Sequence, residues 1–204
     1  MAPENIQRKF VAKLKRLRKR CIGNKDALIF FDPMHQVHNS KTDYAWQFKG
    51  NKGTKEVKTN TGRRRINIIG GINILTMKAT TLITEDNCDK KKIVDFLRKL
   101  RKGTKKTRKI YLVLDNARYN HAAEVKAAAI KLNIELVYLP AYCPNLNLIE
   151  RLWKYTKKEI IKNKFYQYFE EFQSAIEQFF SNLEYQLDEL ISLLQFNFGI
   201  IKAT

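Results

Sequence analysis

The chain contains no run of eighteen apolar residues, and its opening Met1-Ala2-Pro3-Glu4 lacks the apolar stretch of a secretory signal. Neither a spanning helix nor export is indicated, and a cytoplasmic protein without a membrane partner is expected. Cysteine is scarce. Cys21, Cys88 and Cys143 are odd in number and far apart, which argues against a disulfide framework and against a cysteine-based zinc site. Histidine is equally scarce, and beyond His35-x-x-His38 no pair has ligand spacing, so zinc is disfavoured. No internal repeat or low-complexity linker is visible. Residues 165–201 lack Lys and Arg altogether while holding six acids.

Basic charge is what the rest of the chain has in excess. The net charge is +19 over 204 residues. Up to Lys164 the chain carries thirty-eight Lys and Arg against fourteen Asp and Glu, a balance of +24. Residues 1–20 hold eight basic residues against Glu4, and residues 90–109 hold eleven against Asp95. Such a surface is drawn to a polyanion, nucleic acid first among them. Charge alone does not separate DNA from RNA or from an anionic membrane, and a solvated lysine-rich surface would look the same.

The length suits one main domain with small appendages. Residues 5–20 place Ile6, Phe10, Leu14 and Leu17 at helical steps with basic residues between them, which predicts a lead-in helix over about 1–24. Ala27 to Phe31 is a continuous apolar run, expected to be a buried strand that stops at Asp32-Pro33. Residues 35–62 are irregular, with Tyr44, Trp46 and Phe48 alternating as on one short strand. Two β-rich runs, Arg65 to Leu75 and Met77 to Thr84, form a meander, and Gly70-Gly71 within it suggests a bulge or a close backbone approach.

Residues 89–101 read as a basic helix stopped by Gly103. Ile110 to Leu114 is a second buried strand, ending at Asp115. The helix expected over Ala122–Leu132 and the strand over Ile134–Leu139 complete a strand–helix–strand unit and hence parallel pairing. Turn residues Pro140 to Asn147 lead to a helix over Leu148–Ile161. From Phe165 on, Phe165, Phe169, Phe172, Ile176, Phe179, Leu183 and Leu187 recur every three or four residues, as on a helix covering this domain or facing a second copy. The expected class is therefore α/β, a mixed sheet of antiparallel then parallel strands flanked by helices. The main domain spans 25–164, with a helical segment over 165–204.

Three acids stand out. Asp32 and Asp115 each terminate a buried strand, and strand C-termini are where open α/β sheets gather their catalytic groups. On neighbouring parallel strands, about 4.8 Å apart, both carboxylates reach one ion. Hard divalent cations take oxygen ligands. Glu150, in the first turn of a helix, is a third candidate. With it the site would hold two ions about 3.5–4 Å apart, as in-line phosphoryl displacement uses. Other roles stay open at each position: an Asp at a strand end caps the following turn, and Asn147 with Glu150 three residues later is a capping-box pattern. Three converging carboxylates without a cation would repel one another and raise their pKa values.

The local motifs carry a resemblance. Asp115-Asn116-Ala117-Arg118-Tyr119-Asn120-His121, followed by Leu139-Pro140-Ala141-Tyr142-Cys143-Pro144-Asn145-Leu146-Asn147-Leu148-Ile149-Glu150-Arg151-Leu152-Trp153, resembles the DDE transposases of bacterial insertion sequences related to mariner elements. Thirty-four residues separate Asp115 from Glu150, the spacing of that family. The run from Phe31 through Asp32, His35 and His38 to Asn39 is similar to its Asp-x-x-His-x-x-His variant. The resemblance covers about Ala27 to Ile161 and implies a ribonuclease-H-like fold and metal-dependent cutting and joining of DNA. It assigns Asp32, Asp115 and Glu150 to two Mg²⁺ or Mn²⁺ ions, one of which activates water for hydrolysis at an element end, after which the freed 3′-OH attacks target DNA. Trp153 then packs beneath the site.

Two departures accompany it. Leu148 stands where the family usually has proline, which costs preorganisation but no ligand. Relatives also carry helix-turn-helix domains that do not fit in the residues before Ala27, so a separate helix-turn-helix half is expected as a partner, and a homodimer is possible. For contacts to double-stranded DNA, at element ends and target, the candidates are His35, His38, Trp46, Lys49, Lys52, Arg63, Arg64, Arg65, Asn116 and His121, with Lys55 in the same basic loop. His35 or His38 could instead stand beside the metal site. A nuclease that cuts without joining, or a remnant that only binds DNA, remain as alternatives.

Overall fold

A computed structural model describes residues 2–40 and 58–201. Tyr44, Trp46, Phe48, Lys49, Lys52 and Lys55 lie outside the described residues.

Helix α1 (Glu4–Asn24) leads into strand β1 (Ala27–Val37). There follow β2 (Arg65–Asn73), β3 (Lys78–Thr84), α2 (Lys90–Lys102), β4 (Ile110–Leu114), α3 (Ala123–Lys131), β5 (Ile134–Tyr138), α4 (Ile149–Ile160), α5 (Phe169–Ser181) and α6 (Leu187–Leu193). The strands form one sheet in the order β3-β2-β1-β4-β5. The first three pair antiparallel, and β1, β4 and β5 pair parallel.

Alternation along the strands divides the core in two. Ile29 and Phe31 of β1, with Ile110, Leu112 and Leu114 of β4, pack against Ile93, Phe96, Leu97 and Leu100 of α2 and Val125 and Ala129 of α3. Leu28, Phe30 and Met34 of β1, with Tyr111 and Val113 of β4, face the other way. There they meet Phe10 and Leu14 of α1, Leu152 and Trp153 of α4, and Phe172 and Ile176 of α5. The aromatic repeat after residue 165 thus seals this chain's own sheet.

Several expectations need correction. Strand β1 does not stop at Asp32-Pro33 but runs on to Val37. Its parallel pairing with β4 ends at Phe30 with Val113, while its antiparallel pairing with β2 continues to Val37 with Arg65. Among the described residues one edge of β1 has no paired strand beyond Phe30, and an open edge is where a strand tolerates proline. In α1 the buried seam is Gln7, Phe10, Leu14 and Cys21, and Ile6 is exposed. Gln7 is drawn inward because its side chain bonds backbone at both termini, donating to the Ala2 and Ile201 carbonyls and accepting from the Ile201 N–H.

The later seam is also broken. Phe165 and Leu187 are exposed, because α5 starts only at Phe169 and a 3₁₀ turn over Leu183–Gln186 shifts the phase before α6. Gly70-Gly71 makes no bulge, since the β2 register is continuous. Instead both glycines admit close neighbours. A Cβ on Gly70 would stand 2.4 Å from the Trp153 ring, and one on Gly71 would stand 2.9 Å from Ile29.

Candidate metal centre

The register of β1 against β4 positions the first two acids. Phe30 pairs with Val113, so the same register carried two residues further sets Asp32 beside Asp115, with both side chains on the α4 face by alternation. Asp32 therefore acts from within a strand, and Asp115 from the first position after one. The third acid arrives through a short turn. Pro144–Leu146 form a 3₁₀ turn with proline at its start, and α4 begins at Ile149, placing Glu150 in its first turn. Asn147 clips that helix start to the sheet by donating its side-chain N–H to the Phe31 carbonyl, 3.1 Å away and one residue before Asp32.

The capping box left open for Asn147 and Glu150 is absent. Among the described residues α4 has no side-chain cap: Asn147 donates its Nδ2–H to Phe31, and its Oδ1 accepts nothing. The Asx turn expected at Asp115 is present: Asp115 Oδ1 accepts from the Ala117 N–H at 3.1 Å and from Asn120 Nδ2 at 2.7 Å. One oxygen of Asp115 is thus fixed by the turn.

Asp32, Asp115 and Glu150 line one cleft of about 400 Å³, together with Asn116, Asn147 and the Leu139–Pro144 turn. Burial raises the Asp32 pKa, and the charges of Glu150 and then Asp115 push it further, to about 8. The Trp153 indole N–H offsets part of this, and a hydrogen bond from the protonated form to Glu150 adds to it. An aspartate held this far above its ordinary range marks a site that disfavours its own negative charge. Tyr119 and Cys88 stand behind the acids, the thiol raised to about 11 and the phenol higher still, both chiefly by burial. Neither is a thiolate or phenolate at neutral pH, and no nucleophile is assembled here.

Oxygen donors dominate this cleft, as a hard divalent cation requires. The Cys143 thiol in its wall is turned to the Ala141 carbonyl. Among the described residues no group of three or more His, Cys, Asp or Glu side chains is arranged to hold a metal ion by itself. An open carboxylate site is the form that suits Mg²⁺, which keeps waters and substrate phosphates in its shell. A groove of about 460 Å³ between α3 and β5 is larger, but Glu135 is the only acid in its lining.

The histidines are dispersed. His35 alternates with Asp32 to the opposite face of β1, where Nδ1 pairs with Asn67 Oδ1. His38 Nε2 meets the Tyr166 carbonyl at 2.9 Å, and its ring lies against Phe169 and Phe172. The expectation that His35 or His38 stands beside the metal site is thereby corrected, because the unbroken strand turns His35 away and α5 captures His38. His121 closes a 3₁₀ turn over Arg118–His121. It stacks on Tyr138 at 4.3 Å and meets Asn116 Oδ1 at 3.2 Å. Asn116 lines the cleft and donates to the Leu139 carbonyl.

Among the basic candidates, Arg63 is exposed, and Arg65 pairs with Asn87. Arg64 is held by Glu85 and Glu170 over the Phe169 ring. Trp46, Lys49 and Lys52 lie outside the described residues. The sequence reading missed Asn120, Tyr119 and the Asn147 clip. Their partners lie a tight turn or a whole domain away, and no periodicity announces such contacts.

Residues 27–173 match the family model for the DDE superfamily endonucleases. No curated protein sequence matches the chain significantly. Among solved structures, the Mos1 strand transfer complex superimposes with a TM-score of 0.66 at 13% identity, over 98% of this chain and 64% of the other. The Mos1 mariner paired-end complex with Mn gives 0.66 at 13% identity, over 96% and 64%. The catalytic domain of Mos1 mariner transposase gives 0.59 at 11% identity, over 98% of both chains. The chain spans about 64% of the transposase chains in those complexes. The mixed sheet is thus the ribonuclease-H-like one that the sequence motifs imply, and the chain belongs to the DDE superfamily endonucleases.

Proposed function

We propose that this chain is the catalytic part of a DNA transposase, cutting strands at element ends and joining them to target DNA. One observation carries the reading. Asp32 from β1, Asp115 after β4 and Glu150 from α4 line a single cleft on one face of the sheet. Supporting it are the thirty-four residues between Asp115 and Glu150 and the solved mariner complexes with Mn and with Mg.

The three carboxylates would hold two Mg²⁺ or Mn²⁺ ions. When bound, such ions supply positive charge to the attacking and leaving oxygens of an in-line displacement. The chain's own groups prepare that site. Asn120 and the Ala117 N–H fix Asp115 Oδ1 and leave Oδ2 for a cation. Asp32 holds a proton at neutral pH and gives it up when the site is loaded. Asn147 keeps Glu150's helix registered on the strand of Asp32. The basic stretches on α1 and α2 would hold the DNA backbone, with element ends read by a separate helix-turn-helix half.

The test offers the chain a pre-cut inverted-repeat end, a supercoiled plasmid and Mn²⁺, with the helix-turn-helix half supplied. Joined product is expected. Asp115→Asn should lower its yield by about a thousandfold while retention on heparin persists. Cutting without joining would favour a plain nuclease, and neither would favour a DNA-binding remnant.

A further inference from the structure

We propose that Trp153 is a positioning residue for Asp32: its indole ring, seated over the side-chain-free Gly70, aims an N–H at the Asp32 carboxylate and ties Glu150's helix to Asp32's strand. The inference rests on the metal-site reading above. Its geometry begins with the register. Asp32 lies directly opposite Gly70 in the antiparallel pairing of β1 with β2, so the two positions share a face of the sheet. Any side chain at residue 70 would occupy the space beside the Asp32 carboxylate. Glycine leaves that space open, and Trp153 fills it. A Cβ on Gly70 would stand 2.4 Å from Cη2 and 3.0 Å from Cζ2 of the Trp153 ring.

Within the indole, Nε1 is two bonds from Cζ2, so the edge seated on Gly70 is the edge that carries the N–H. Trp153 is only 2% exposed, and among the described residues its Nε1 has no partner that meets hydrogen-bond geometry. Asp32, opposite Gly70 on the same face, is the acceptor that the register sets beside this ring. A buried indole N–H without an acceptor is rare. One Asp32 carboxylate oxygen turned toward the ring would satisfy it, and the other would remain for a cation. Trp153 also lies three residues after Glu150, on the same side of α4. One ring therefore indexes the helix of the third acid against the strand of the first. Mere packing would need a large ring at 153, but not an N–H.

The test uses Mn²⁺ binding, read by calorimetry and by the paramagnetic resonance of free Mn²⁺, on the full chain. Trp153→Phe keeps the ring in place and removes the donor. Gly70→Ala keeps the donor and displaces the ring. Each is expected to weaken Mn²⁺ binding by about tenfold, and the double variant to be no weaker than Trp153→Phe alone, because both act through one contact. Ile160→Val, a packing change elsewhere on α4, should leave the affinity unchanged. In a Trp46→Phe background, Trp153 emission should be quenched as Mn²⁺ saturates the site. Unchanged affinity in Trp153→Phe, or losses that add in the double variant, would overturn the inference while leaving the metal site standing. Parent protein showing no Mn²⁺ binding that depends on Asp115 would overturn the metal site and this inference with it.

Discussion

The two faces of the sheet solve different problems. Under α2 and α3, buried apolar residues close the core, with Phe31 on Phe96 at 4.9 Å between ring centres. The buried Asn67 side chain there is satisfied by His35 and the Asp86 carbonyl. Under α1, α4 and α5 the core is also apolar, yet among the described residues Tyr111 Oη, Asn147 Oδ1 and Trp153 Nε1 are buried without partners. Asp32 is held there against its preference for charge. Natural cores rarely leave polar groups in that state. Where they gather, stability has been conceded to function, and the concession lies on the face that carries the three acids.

Damage to one face should leave the other working. Phe96→Ala empties a site between α2 and β1 and should cost about 3–5 kcal/mol in denaturant unfolding. The fraction that stays folded should bind Mn²⁺ as the parent does. A loss of Mn²⁺ affinity in that fraction would mean the two faces are not separable.

A smaller effect comes from pH. The folded chain holds Asp32 protonated up to about pH 8, whereas an unfolded aspartate releases its proton near 3.9. Between those values the native state binds the extra proton, so metal-free stability falls as pH rises through that window and levels off above it. The thermal midpoint should therefore drop by a few degrees between about pH 5 and pH 8.5. Asp32→Asn should flatten this slope, and saturating Mg²⁺ should oppose it. A parent slope that survives in Asp32→Asn would place the pH dependence in another group.

The smallest effect is expected at His38, whose ring serves α5 rather than the cleft. His38→Ala should cost about 1 kcal/mol in stability and leave Mn²⁺ affinity and cutting unchanged. A histidine that ligated metal would instead lose both.

Much of the fold could be read from periodicity, since buried five-residue runs and helical stripes each obey one local rule. The Ile110–Leu114 strand and the Lys90–Lys102 helix fall within a residue or two of their expected limits. What failed depended on partners distant in sequence. Proline after Asp32 looked like a stop because the open edge of β1 exists only once β4 has ended. Gln7 is buried only because the backbone near Ile201 reaches it. The three acids were legible because each falls at a recognisable place in a motif. The histidines of the first motif were misplaced because adding residues to β1 settles, by alternation, which side chains share the face of Asp32. Asn120, Asn147 and the Trp153 N–H act through contacts between elements, which no one-dimensional pattern records.

One face of the sheet carries a carboxylate site that becomes comfortable only with a divalent cation. Titrating Mn²⁺ into the chain at pH 7 in two buffers of different ionisation enthalpy tests it most directly. The account predicts saturable binding with release of close to one proton per chain, as Asp32 ionises to accept the cation, and loss of that proton release in Asp32→Asn. Saturable binding that releases no proton and persists unchanged in Asp32→Asn, or no binding at all, would contradict it.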